Sequence, residues 1–255
     1  MKDADDASGE SGKPLRKRIK AYRNEEFINS KNARALRILA EYLEPKARFE
    51  EHEVEDTIVF FGSARFQEGN RWYEAARQLA FRLTAWSKAL PSKERRFVVC
   101  SGGGPGIMEA ASRGASEAKG IAVGLGISIP IEQSDNDYLT RELGFHFHYF
   151  FMRKFWFAYL AKAVIVFPGG FGTLDELMEV VTLVQTKKMK KPMPIVLFGT
   201  EYWNEVIDFG ALVRHGTIDA EDVKIMHRTD SVEEAFDWVV AQLTRHALAR
   251  PGAMM

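Results

Sequence analysis

Three short stretches of this sequence gather residue types that hold anions or handle protons. Residues 163–181, AVIVFPGGFGTLDELMEVV, run from an apolar strand-like segment through three glycines into a helix that opens with acids. CSGGGPGIMEA, at 100–110, passes through four glycines into another helix, and FFGSARF, at 60–66, follows a further apolar run. Glycine lets the backbone come close to a bound group. The first N–H groups of a helix are unpaired, and its dipole favours negative charge at that end. Two such loops converging on one crevice suit a nucleotide; the alternative is that the glycines only make tight turns and let helix pack on strand. Neither loop carries a familiar fingerprint. The G-x-x-x-x-G-K-[ST] pattern is absent, GGGPGIM lacks the G-x-G-x-x-G spacing, and IAVGLGIS ends in no ribose-binding acid, which disfavours a Walker-type triphosphate site and NAD.

The loop at 168–176 adds Thr173 and, three residues on, Glu176. That spacing also fits a capping box, in which Thr173 caps the helix and Glu176 bonds back to its start. Arg153 and Lys154 interrupt the aromatic segment FFMRKFWF directly after the strand-like FHFHYF, and cations in so apolar a setting need an anionic partner. His146 and His148 share one face of that strand-like stretch, but no third ligand stands at a suitable spacing. Packed or polar-face histidines are the simpler reading, and no metal is expected. No lysine is marked out to form a Schiff base with pyridoxal phosphate, so no cofactor is expected either. Cys100, the only cysteine, ends the apolar run RFVVC as a small buried hydrophobe.

These turns need elements to position them. TIVFFGS, RFVVCSG, IAVGLGISI, AVIVFPG and PIVLFG are short, nearly continuous apolar runs of the kind that form buried parallel strands. RWYEAARQLAFRLTAWSKAL, GIMEAASRGASEAK, LDELMEVVTLVQT and EYWNEVIDFGALVRHG supply helical crossovers, and SVEEAFDWVVAQLTRHAL closes the chain behind a Ser231 to Glu234 capping box. Alternation of this kind predicts an α/β fold, a Rossmann-like doubly wound parallel sheet with helices on both faces. One such nucleotide-binding domain is expected over 57–250. Residues 26–56 form an accessory helical extension, whose NARALRILAEYLEP places Leu36, Leu39 and Leu43 at helical spacing and stops at Pro45. Residues 1–25 are polar, and a disordered tail is expected there. Thirty-five basic residues balance thirty-five acidic ones, so no overall field favours a nucleic-acid polymer or an anionic membrane. With no apolar leader and no run of spanning length, a cytoplasmic protein is expected.

PGGFGTLDE matches the P-G-G-x-G-T-x-x-E signature of the LOG family, proteins long mislabelled as lysine decarboxylases. GGGPGIMEAASRGA and MRK resemble that family's other two blocks, in the same order, and the resemblance covers roughly 57–240. It implies a Rossmann-like homodimer that hydrolyses the N-glycosidic bond of nucleoside 5′-monophosphates to free base and ribose 5-phosphate. Glu176 is then the catalytic carboxylate, stabilising an oxocarbenium-like state and activating water. Arg153 pairs with it; a guanidinium is a poor proton donor, so orientation and electrostatic binding are its expected work. Gly169, Gly170, Gly172 and Thr173 would cradle the 5′-phosphate. Ser63, Gly103, Gly104, Met108, Glu109 and Lys154 would complete the nucleotide site. The motif YFFMRK departs from the MHxRK-like spacing of compact members, and the connection at 130–150 is long, which leaves the base open. A non-catalytic nucleotide or molybdenum-cofactor carrier of the same fold is the alternative.

MRKFWFAYLAKA, read as a helix, distributes Phe155, Trp156, Phe157, Tyr159 and Leu160 around nearly all faces. Such a helix must be buried on more than one side. The sheet covers one side, and the resemblance supplies a second subunit for the other.

Overall fold

From Thr57 onward, strand and helix alternate as the apolar runs predict. The computed structural model describes residues 18–128 and 136–252, and most of the tail expected at 1–25 lies outside them. The strands are β1 (Thr57–Phe61), β2 (Val98–Ser101), β3 (Ala122–Ile127), β4 (Gly144–Phe147), β5 (Ala161–Val166), β6 (Ile195–Phe198) and β7 (Met226–Thr229). The helices are α1 (Glu25–Ile28), α2 (Arg34–Glu51), α3 (Arg71–Lys88), α4 (Ile107–Glu117), α5 (Phe150–Leu160), α6 (Phe171–Gln185), α7 (Thr200–Val206), α8 (Phe209–Arg214) and α9 (Val232–His246). All seven strands pair in parallel, in the order β4-β3-β2-β1-β5-β6-β7.

The chain falls into two compact units, Met1–Ala40 and Glu41–Met255. In the first, Asn24 caps α1 by accepting from the Phe27 N–H at 3.2 Å, and Arg37 Nη1 donates to the carbonyls of Ile28 and Ser30. Leu36 and Leu39 are half exposed. In the second, the whole of β1 is buried, with alternate side chains serving opposite faces. Ile58 and Phe60 join a core with Tyr73, Leu79 and Leu83 of α3, Ile107 of α4, and Val239 and Leu243 of α9. Gly114 lets α3 and α4 touch, because a Cβ there would stand 2.1 Å from the Arg77 carbonyl oxygen. On the other face, Phe61 meets the edge of Phe157 of α5, and Phe49 of α2 packs on Phe145 of β4.

Four expectations change. The helix predicted to stop at Pro45 runs through it to Glu51. Proline removes the bond that its N–H would give to the carbonyl four residues back, that of Glu41. The indole N–H of Trp156 donates to that carbonyl at 2.9 Å, so the vacated acceptor is satisfied from another helix. EYWNEVIDFGALVRHG forms two helices, because Asp208 accepts from the Ala211 N–H and starts α8 afresh. β7 falls in a stretch with no strand expectation; three of its four residues, His227, Arg228 and Thr229, are polar, as an edge position allows. The box at Ser231 is half formed: Ser231 Oγ accepts from the Glu234 N–H, but the Glu234 carboxylate turns to Thr229 Oγ1.

The fate of α5 matters most. Trp156 and Phe157 are each only 2% exposed within the single chain. Tyr42 and Phe49 of α2 cover Trp156, and Phe61 covers Phe157, so neither side chain needs a second subunit to shield it. Trp156→Asp therefore strands a charge in the core of the protomer. We expect loss of the folded state or a melting point lower by ten degrees or more, about 3 kcal/mol, seen by differential scanning calorimetry, instead of a clean dissociation into folded monomers.

Helix α5 ends at Leu160 and β5 begins at Ala161, with no residue between. The chain cannot turn back to cap the last helical carbonyls. Lys191, itself buried, does so: its Nζ donates to Ala158 O at 2.7 Å and Tyr159 O at 2.8 Å. Burial pushes its amine down to about 7.

Candidate active site

The strand order reverses between β1 and β5, and in an open parallel sheet that is where the carboxyl ends of neighbouring strands leave a crevice. The backbone ties the two turns together there. Ser63 N–H donates to Pro168 O at 2.9 Å, and Ile107 N–H donates to Ser63 O at 3.0 Å. Gly106, at φ +73°, is obligatory in this arrangement, since a Cβ would fall 2.3 Å from the Ser63 carbonyl oxygen.

A cavity of about 670 Å³ opens at this point, lined by Ser63, Met108, Gly169, Gly170, Gly172 and Thr173 among others, with Arg153 and Glu176 on its wall. A second cavity of about 240 Å³ shares Met108, Gly172, Arg153 and Glu176 and adds Gly104, Gly126, Ile127, His146, Phe150 and Asp175. Arg153 and Glu176 thus stand at the seam between two compartments. Arg153 Nη2 donates to Glu176 Oε1 at 3.0 Å, and both side chains are largely buried. Burial pushes the Glu176 carboxyl up to about 7, with the Arg153 and Lys154 cations pulling against it. Arg153 Nε is buried without a hydrogen-bond partner among the described residues.

The capping box at Thr173 does not form. Gly170 is the N-cap of α6 and no side chain caps the helix, which leaves the Glu176 carboxylate to Arg153. The N–H groups of Phe171, Gly172 and Thr173 find no backbone acceptor among the described residues, so they are open to an anion. The α4 terminus differs, because Ile107 N–H is already spent on Ser63.

The remaining expected residues divide. Gly103 and Gly104 are pinned from behind, their carbonyls accepting from Asn136 Nδ2 at 3.0 and 3.1 Å; Gly104 lines the second cavity and Gly103 lines neither. Glu109 accepts from Tyr73 Oη at 2.7 Å and lines neither cavity. Lys154 reaches Asp175 at 2.8 Å and Glu179 at 2.7 Å, fastening α5 to α6 instead of lining a cavity.

Three further lining residues, not assigned to the site by sequence, shape it. Arg65, in the FFGSARF turn, is exposed at the rim of the large cavity and makes no ion pair among the described residues. Tyr202 of α7 donates from Oη to Gly169 O at 2.5 Å and braces the loop. His146 lines the small cavity, its ring against Gly126, where a Cβ would meet Nδ1 at 3.3 Å. Arg65 was legible as a cation in a singled-out turn, whereas nothing local marked Tyr202.

The family described as "Possible lysine decarboxylase" matches residues 108–239, more than half of the chain, including the loop that opens α6 and the Arg153–Glu176 pair. The chain belongs to this family, the LOG family. A cytokinin riboside 5′-monophosphate phosphoribohydrolase, LOG7 of Arabidopsis thaliana, is 30% identical over 102 residues, covering 36% of this chain and 46% of that protein. The chain therefore matches less than half the length of this curated relative. Among solved structures, TM1055 superposes with a TM-score of 0.51 at 23% identity over 73% of this chain and 99% of that one. A molybdenum cofactor binding protein from Rippkaea orientalis superposes with the same TM-score at 18% identity over 74% and 98%. These likenesses bear out the Rossmann-like α/β fold. Among the described residues no helix is long and apolar enough to cross a membrane, and no group of three or more His, Cys, Asp or Glu is placed to hold a metal ion.

Proposed function

We propose that this LOG-family chain hydrolyses the N-glycosidic bond of nucleoside 5′-monophosphates, releasing free base and ribose 5-phosphate. The observation that carries the reading is the buried Arg153–Glu176 pair at the seam of two cavities, with a carboxyl poised near neutrality. The glycine loop from Gly169 to Thr173, the open N–H groups of α6 and Arg65 would hold the 5′-phosphate in the larger compartment. The base would then enter the smaller one, lined by Phe150 and His146, which brings the anomeric carbon beside Glu176.

Glu176, ionised, takes a proton from water as the water oxygen bonds to C1′ and the C1′–N bond breaks, its electron pair passing to the base nitrogen. The same carboxylate stabilises positive charge developing on the ribose. The proton ends on the departing base. Arg153 orients Glu176 and binds ligand oxygens through its free donors; permanent protonation makes it a poor acid. A decarboxylase working through a lysine Schiff base finds no support, because no lysine lines either cavity among the described residues.

The resemblance also proposes a homodimer. Phe150 and Phe151 are about half exposed and Phe171 is 91% exposed; Phe150 and Phe171 line the two cavities, and these three, not Trp156, are the aromatic surface a second copy would cover.

Purified protein incubated with a panel of nucleosides and their 5′-monophosphates, with products separated chromatographically, tests the reading. AMP or another monophosphate should yield base and ribose 5-phosphate without added metal or pyridoxal phosphate, and the matching nucleoside should react far more slowly. Equal turnover of both would remove the phosphate assignment. Tight nucleotide binding with no cleavage of any substrate would favour a carrier.

A further inference from the structure

One residue of α2 holds the helix that carries Arg153 at two points. Glu41 Oε1 accepts from the His148 N–H at 2.7 Å and Oε2 from the Tyr149 N–H at 3.2 Å, just where α5 begins. A carboxylate at that end also sits favourably in the helix dipole. Further along α5, the Trp156 indole N–H donates to the Glu41 carbonyl at 2.9 Å. That carbonyl is an available acceptor because Pro45 has no N–H to give it. Arg153 lies between the two holds. Sliding α5 along its axis, or rolling it, would stretch one hold or the other, and the ring of Tyr42 stacked on Trp156 resists the roll.

We propose that Glu41 is a positioning residue for Arg153, fixing the axial position and rotation of α5 so that the guanidinium meets Glu176 at the seam of the two cavities. The groups that face Glu176 are Arg153 and Lys154 from α5 and Asp175 and Glu179 from its own helix. Only the two cations move when α5 moves, and Lys154 has separate ion pairs to α6. Displacing α5 therefore acts on Glu176 chiefly through Arg153. Arg153 favours the ionised carboxylate, so withdrawing it drives the carboxyl to titrate at higher pH.

The test reads Glu176 directly, by carbon NMR of its side-chain carboxyl across a pH series, the signal being assigned by its absence in Glu176→Gln. Glu41→Ala removes both accepting oxygens of the side chain. Glu41→Gln keeps an acceptor for one N–H, and Trp156→Phe keeps a ring in place but loses the indole donor. Relative to wild type, the midpoint should rise by about half a pH unit or more in Glu41→Ala and by less in Glu41→Gln, with Trp156→Phe moving in the same direction. For its rate readout the proposal rests on the hydrolase reading: kcat should fall roughly tenfold with KM within about threefold, and the acid limb of kcat/KM should follow the midpoint upward. A residue that only stabilised the fold would lower the melting point and leave the midpoint in place. A folded Glu41→Ala with unchanged midpoint overturns the proposal. If that variant does not fold, unchanged midpoints in both milder variants overturn it. A wild type that cleaves no nucleotide would defeat the hydrolase reading, while the titration still decides the role of Glu41.

Discussion

Glu176→Gln should lower turnover of nucleoside 5′-monophosphates by about 10³-fold while leaving the protein folded. Glutamine has nearly the shape of glutamate, and its carbonyl oxygen can still accept from Arg153 Nη2, so packing around this buried position is kept. What it loses is the negative charge and the ability to take a proton from water. The pH dependence provides a second signature. With the carboxyl pushed up to about 7, the wild-type base is largely protonated in acid, and kcat/KM should rise through neutrality as the ionised form accumulates. That limb should be absent from the residual activity of the variant. The stability contribution of this group runs the other way: its raised value favours folding below the ordinary carboxyl range and is lost as pH rises through about 7. Near-normal turnover in the variant, measured by base release, would reduce Glu176 to a structural role.

Arg153→Met should cost about 10²-fold in kcat/KM and displace the acid limb of what remains above 7. Methionine fills much of the same space without charge, so the loss reads the guanidinium itself. Arg153 stabilises ionised Glu176, and without it burial acts less opposed and the carboxyl holds its proton to higher pH. An arginine serving as the proton donor would show a different pattern: its guanidinium would have to lose its proton near neutrality, so the wild-type profile would fall again on the alkaline side and the variant's would not. The rate profile from pH 5 to 9 separates the two.

Most of the sheet was legible because its strands are buried on both faces and read as unbroken apolar runs; TIVFF and AVIV have no other reading. MHRT has one, since an edge strand may carry polar side chains, and β7 was missed. The span of α2 could not be read locally. Whether a helix continues past proline depends on what meets the abandoned carbonyl, and here the answer lies in Trp156, far along the chain. The glycine loop and its acid were legible from spacing, but spacing alone also fitted a capping box, and only the three-dimensional partner of Glu176 separates the two. Glu109 and Lys154 show the converse. Each sits in a functional motif, yet Tyr73 claims one and the acids of α6 claim the other.

The direct join of Leu160 to Ala161 makes residues 150–170 one continuous piece of machinery, with Arg153 at one end and the glycine loop at the other. One residue inserted at the join would turn α5 by about 100° against the sheet or shift β5 by a position, exchanging its two faces. It would also carry the carbonyls of Ala158 and Tyr159 away from Lys191. Length variation is tolerable in connections that have slack, and this one has none. Among related chains the interval between the arginine and the first loop glycine, 153 to 169 here, should accordingly be constant to the residue while the flanking connections lengthen and shorten around it.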